Sequence, residues 1–382
     1  MAASVQTTPT VQTMSLASQP LSFGMFVMPV HDPNKPMAQC FDEDLELAVQ
    51  CEALGFRDFW VGEHHSSAYE NIVMPEIFLG KVLGHTHSIR IGPAPVCLQY
   101  HNPVHVAGRL AFLDHLSHGR LNVCFGPGAV PTDMELFGVR PQDTGPRVAE
   151  AIDIILKIWT SDPPYSIDGK FWSLSLRDTV DHELRIGTLH KPLQRPYPPI
   201  HVPSMSRSSP GLEAAAARGF RFISHHMVHP DVLADQWKCY ARGAASAGRT
   251  ASPDDWSVSR NIFVADTERE AKALARRNSM GRCIEYILEL TRRASPTGVS
   301  IWKRDAQMAD GDCNLDYFMN EVVIAGDPDS VTTQLLRLRE RIGAFATLVL
   351  VAHDWDDRRS WLRSLDLFGK HVAPALNRAL GR

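Results

Sequence analysis

The chain has 382 residues, enough for two or three domains or one large α/β barrel. Its 39 Lys and Arg against 43 Asp and Glu give a formal charge of −4, which excludes a protein that tracks nucleic-acid phosphates through a basic surplus. No run of about 18 apolar residues occurs, so no membrane-spanning helix is expected. The seven cysteines are scattered, odd in number and without a C-x-x-C pair, and read as reduced thiols of a cytoplasmic protein.

Residues 1–20 are rich in Ser, Thr, Gln and Ala and lack the basic start and apolar core of a secretory signal. They read as a disordered tail ahead of a single domain over 21–382. Short apolar runs then alternate with helical spacing. Strands are predicted at 21–28, 58–61, 90–96 and 121–125, with helices at 42–54, 76–83, 104–116 and 146–159. Residues 126–145 read as a loop. Residues 161–199 carry six prolines and no sustained period, which marks an insertion that covers or shapes a site. Beyond it, strands are predicted at 200–202, 221–224, 257–265 and 347–351. Helices are predicted at 211–218, 231–247, 267–277, 282–292, 328–342 and 368–380, and a second insertion at 294–320. Eight strands with intervening helices point to an α/β fold, a (β/α)8 TIM barrel with two insertions, whose active site lies at the C-terminal ends of the strands.

Those ends carry the candidate residues. The second strand runs into Glu63-His64-His65, where an imidazole is placed to donate or accept a proton; a pair of structural histidines is the plain alternative. Ala94-Pro95 ends the third strand; by base rate its peptide is trans, although X-Pro bonds are also found cis. Phe125-Gly126-Pro127-Gly128 ends the fourth, and its glycines let backbone approach a flat ligand. Arg147 stands in the first turn of a helix, where an arginine serves phosphate oxygens or simply faces solvent. Four serines and an arginine within 204–209 exceed what one N-cap needs and read as a phosphate-binding loop. A metal hydrolase finds little support: no H-E-x-x-H occurs, and His85 and His87 precede the third strand, away from His64. No G-x-S-x-G elbow is present either.

Residues 89–128 resemble the bacterial luciferase-like flavin monooxygenase family, through His101-Asn102-Pro103, the run 113–120 and Phe125-Gly126-Pro127-Gly128. Residues 60–66 and 126–133 are most similar to its limonene monooxygenase-like branch. The resemblance implies a luciferase-like barrel that takes reduced FMN from a separate flavin reductase. With O2 it would insert one oxygen atom into an apolar terpenoid, ketone or aldehyde. It implies His64 as the catalytic histidine, a cis peptide at Ala94-Pro95 under the isoalloxazine ring, and phosphate contacts from Arg147, Ser206 and Ser209. No metal is implied, and a homodimer is expected by analogy. Gly126 and Pro127 stand where the luciferase catalytic subunit has a reactive cysteine and an arginine, and Met205 replaces a glutamate, so luciferase activity itself is not implied. A deazaflavin-dependent oxidoreductase of the same fold and a non-catalytic flavin-binding subunit are the competing readings.

Overall fold

The computed structural model describes residues 20–28 and 30–381. Apart from Pro20, the expected tail lies outside the described residues. Strands β1 (Ser22–Val27), β2 (Asp58–Val61), β3 (Arg90–Pro93), β4 (Val123–Gly126), β5 (Ile200–Ser204), β6 (Arg221–Ser224), β7 (Trp256–Arg260) and β8 (Thr347–Ala352) form one parallel sheet. Around it the order is β3-β2-β1-β8-β7-β6-β5-β4. Val96–Cys97 continues β3 past Ala94-Pro95 and pairs with Phe125 and Gly126. A bridge between Ile91 and Leu121 ties the other end of that seam. The ring therefore closes into the (β/α)8 barrel that the alternation predicts, and closure leaves no long sheet edge exposed.

Both faces of these strands are covered, which is why they read as apolar runs rather than alternating ones. One face meets the surrounding helices. The other fills the barrel, where Trp60, Ala94, Cys124 and Val349 pack together with Phe26 and Ile223. The Trp60 ring takes the space beside Gly92: a Cβ on Gly92 would lie 2.6 Å from that ring. Helix starts follow a repeated cap-then-proline pattern. Asn102, Ser209, His229 and Asp327 each accept a backbone N–H just ahead of helices Pro103–Leu116, Pro210–Ala217, Pro230–Ser246 and Pro328–Ile342. Proline at the first helical position loses no hydrogen bond there.

Several expectations change. The run 257–265 is two strands, because the chain leaves the barrel after Arg260 and Ile262–Val264 pairs instead with Ile324–Gly326. The 126–145 loop holds a short helix, Pro131–Leu136. The first insertion contains an antiparallel hairpin of Tyr165–Asp168 and Ser173–Leu176, and the second contains helix Leu315–Glu321. Helix Arg358–Leu367, charge-rich and unmarked by an apolar run, precedes the C-terminal helical stretch.

Candidate functional site

The candidate residues converge on one arc of the rim, at the C-terminal ends of the adjacent strands β2, β3, β4 and β5. His64 follows β2. Its backbone N–H donates to Ile72 O at 3.0 Å, and its ring Nε2 stands 3.4 Å from Glu70 Oε1. Ala94, at the end of the neighbouring strand, donates its N–H to Val61 O at 2.8 Å. The Ala94-Pro95 peptide is cis, against the base-rate expectation from the dipeptide alone and in line with the resemblance. At the centre of the arc, a Cβ on Gly126 would fall 2.8 Å from Pro203 Cγ and 3.1 Å from Pro95 Cβ. The rings of Pro203 and Pro95 thus fill the space that a side chain at 126 would need. A cysteine side chain does not fit there as the backbone stands.

Arg147 lies in the first turn of helix Thr144–Thr160, which follows β4. Its Nε donates to Gln99 O at 3.2 Å, and its guanidinium carbon lies 4.9 Å from the Trp172 ring centre and 5.2 Å from that of Phe171. Both aromatics belong to the tip of the insertion hairpin. Glu150, one turn along the same helix, holds that tip: its carboxylate accepts the backbone N–H groups of Lys170, Phe171 and Trp172 at 3.1, 3.0 and 3.0 Å. The guanidinium is thereby oriented by backbone and ring contacts. It has no carboxylate partner among the described residues and is a cation offered to an anion.

The serine loop follows β5. Ser209 Oγ accepts the Leu212 N–H at 3.1 Å as the N-cap of helix Pro210–Ala217, which leaves its own O–H to donate elsewhere. Ser206 Oγ donates to Ser208 O at 3.3 Å. Arg207 is not available to an anion, because Asp235 holds it at 2.6 Å and the Arg304 carbonyl takes a second N–H. Since β4 and β5 are hydrogen-bonded neighbours, Arg147 and Ser206/Ser209 rise from adjacent strands.

Sequence reasoning missed one constellation. Glu63, fully buried, accepts Nε2 hydrogen bonds on one oxygen from His65 at 2.8 Å and from His101 at 2.7 Å; its other oxygen accepts the Cys97 N–H at 3.1 Å. Burial pushes this carboxyl upward, but the hydrogen bonds from His101 and His65 outweigh it and hold Glu63 down at about 2. These three side chains and the group His31, Cys40 and Asp354 bring their ligating atoms close enough to hold a metal ion. No motif search finds either, because each set joins segments far apart in the chain. Burial raises the Tyr100 phenol and the Cys97 thiol well above their ordinary values, so neither is a ready nucleophile.

A cradle closed to any Cβ, an aromatic-backed guanidinium and a capped serine loop suit a flat, phosphate-bearing cofactor such as FMN. The model of the luciferase-like monooxygenase family matches residues 21–344. Among curated proteins, 4-hydroxyprotoasukamycin monooxygenase of Streptomyces nodosus subsp. asukaensis is 32% identical, covering 94% of this chain and 93% of its own. Limonene 1,2-monooxygenase of Rhodococcus erythropolis is 29% identical, covering 94% and 88%. Among solved structures, the oxygenating constituent of 3,6-diketocamphane monooxygenase from Pseudomonas putida, a type II Baeyer-Villiger monooxygenase in complex with FMN, superposes with a TM-score of 0.84. It is 30% identical, with 93% of this chain and 98% of that one covered.

Proposed function

Because the chain belongs to the luciferase-like monooxygenase family, we propose that it is an FMN-dependent monooxygenase. It would use O2 and reduced FMN delivered by a separate reductase to insert one oxygen atom into an apolar terpenoid, ketone or aldehyde. The observation that carries this reading is the single arc: His64, Ala94-Pro95, Arg147, Ser206 and Ser209 arise from four consecutive strands of one rim. The diketone and terpene in the relatives' names support the substrate class.

Bound reduced FMN supplies the electrons that activate dioxygen. The chain's own groups do the rest. Arg147 and the Ser209 hydroxyl hold the phosphate, joined by Ser206 once its O–H turns from Ser208 O, and the fixed plane of the guanidinium favours a forked contact. Gly126 and Pro95 give a flat backbone surface for the ring. Phe171 and Trp172 back the arginine and keep water from that side, which matters because water diverts reducing equivalents to peroxide. His64 moves a proton at Nε2, to or from the reacting oxygen or the substrate.

Apolar side chains on the outer faces of two neighbouring helices support a homodimer: Ile77 on Pro75–Leu83 is 75% exposed, and Phe112 on Pro103–Leu116 is 65% exposed. All seven cysteines are buried and unpaired, which supports action in the reducing cytoplasm. No helix among the described residues is long and apolar enough to cross a membrane. The test is reconstitution with FMN and a generic flavin reductase under 18O2, screening cyclic ketones, terpenoids and aldehydes. One labelled oxygen atom in a product supports the proposal. Failure to bind reduced FMN at micromolar concentration overturns it.

A further inference from the structure

We propose that Glu63 is a positioning residue that fixes the tautomers of His65 and His101 and, through them, the stretch of backbone that presents His64. This rests on the reading of His64 as the proton-handling residue.

The argument begins with donors and acceptors. Glu63 Oε2 faces the Cys97 backbone N–H at 3.1 Å, which can only donate. Glu63 Oε1 faces both imidazole Nε2 atoms, at 2.8 and 2.7 Å. An ionised carboxylate only accepts, so both Nε2 atoms must carry their protons. In a neutral ring Nδ1 is then the atom with the lone pair. The His65 ring is wedged as well as bonded: Phe137 stands edge-on to it at 4.8 Å and Tyr100 at 5.9 Å.

His64 lies between two anchored neighbours. On one side Glu63 is bonded to the β3 extension at Cys97 and to His101 of the following loop. On the other, His65 donates its backbone N–H to Asp133 Oδ2 at 3.3 Å and its ring N–H to Glu63. Ser66 is held by the same Asp133 carboxylate. His64 itself, among the described residues, has its backbone bond to Ile72 and a 3.4 Å approach to Glu70. The catalytic candidate is thus lightly held at the ring and pinned at both flanks, and Glu63 is the group shared by the pins from β2 and β3.

Glu63→Gln inverts the arrangement without changing its shape. The Cys97 N–H still needs an acceptor, so the new amide turns its oxygen that way and presents its NH2 to both imidazoles. Nε2 must then accept, and the protons of both rings move to Nδ1. The experiment is 15N NMR on protein labelled in its histidine rings, with His65→Gln and His101→Gln for assignment, in the absence of flavin and substrate. Expected are Nε2-protonated rings in the wild type, Nδ1-protonated rings in Glu63→Gln, and a displaced His64 signal. In turnover the same variant should lose roughly tenfold or more in kcat, with substrate KM within about threefold and more of the reducing equivalents lost as peroxide. Should Glu63→Gln fold poorly, His101→Gln removes one arm and should displace the His64 signal with His65 still Nε2-protonated. Unchanged tautomers in Glu63→Gln, an undisplaced His64 signal, or a divalent metal retained by the purified protein on these side chains each overturns the proposal. Because the tautomer measurement needs neither FMN nor substrate, its failure is distinct from failure of the monooxygenase reading.

Discussion

The proposed function gives His64 and Arg147 separable tasks, and substitution should divide them. On that proposal His64→Ala removes a proton carrier worth about a hundredfold or more in rate, so turnover should fall by that order while FMN affinity stays within a few fold. Stopped-flow turnover beside a flavin titration checks both halves. Arg147→Ala should do the reverse first: losing a charge-assisted contact of about 1.5–3 kcal/mol should raise the FMN dissociation constant by roughly ten- to a hundredfold, read by fluorescence titration. At this scale the sequence is informative wherever a residue sits at the end of an apolar run: His64 and Ala94 are found by counting strands, and Arg147 by the helix that follows the fourth. Glu63, His65 and His101 are visible one by one but not as a set, since 38 positions separate Glu63 from His101 and only the β2–β3 adjacency joins them. The serine run is legible as an N-cap with hydroxyls to spare, but not which hydroxyl caps: Ser209 does, and Arg207, its charged neighbour, is taken up by Asp235.

Among elements, the insertion over 161–199 shows where pattern reading stops. Prolines 163, 164, 192, 196, 198 and 199 frame it, and the sequence marks only an interruption. Its hairpin is four residues per strand, too short for a period to declare itself, and its tip is held by one carboxylate on a neighbouring helix. Glu150→Ala should therefore release the hairpin tip. We expect faster limited proteolysis within residues 168–173 and FMN binding weakened by a few fold, because Arg147 loses its aromatic backing while keeping its charge. Unchanged cleavage would show that the tip is held by other contacts. Helix Arg358–Leu367 escapes sequence reading for a similar reason. Its inward face is Trp361, Ser364, Leu365 and Leu367, too few apolar positions among charged ones to declare a helical period.

For the whole molecule, eight strands alternating with helices point to a closed barrel, and each strand's apolar run is the direct trace of burial on two faces. What the alternation does not reveal is how the first and last barrel units are fastened. His31, after β1, is bonded through Nδ1 at 3.0 Å to Asp354, after β8, and through Nε2 at 3.1 Å to Asp44 on helix Met37–Ala53. Burial alone would lower the imidazole, but the hydrogen bonds to Asp354 and Asp44 prevail and raise it from 6.5 to about 9. A folded value above the unfolded one stabilises the fold fully below about pH 6.5 and loses that contribution as pH climbs through about 9. His31→Gln should destabilise by roughly 3–5 kcal/mol at neutral pH, as expected when a buried ion pair loses one partner. The gap from wild type should narrow above about pH 9 in denaturant melts taken across that range.

The departure of the chain from the barrel after Arg260 has an engineering consequence. Ile262–Val264 and Ile324–Gly326 pair in parallel, so the polypeptide between them leaves past Val264 at one end of the pair and crosses over to return at Ile324 at the other. Such an excursion is not a free cassette: Met280, Cys283, Ile284 and Phe318 within it belong to the same buried core as the barrel strands, and Tyr286 donates to Glu70 Oε2 at 3.2 Å, beside His64. Grafting the corresponding excursion of a relative should leave the eight-stranded frame standing only where its inward apolar face is carried over with it, and should alter what reaches Glu70.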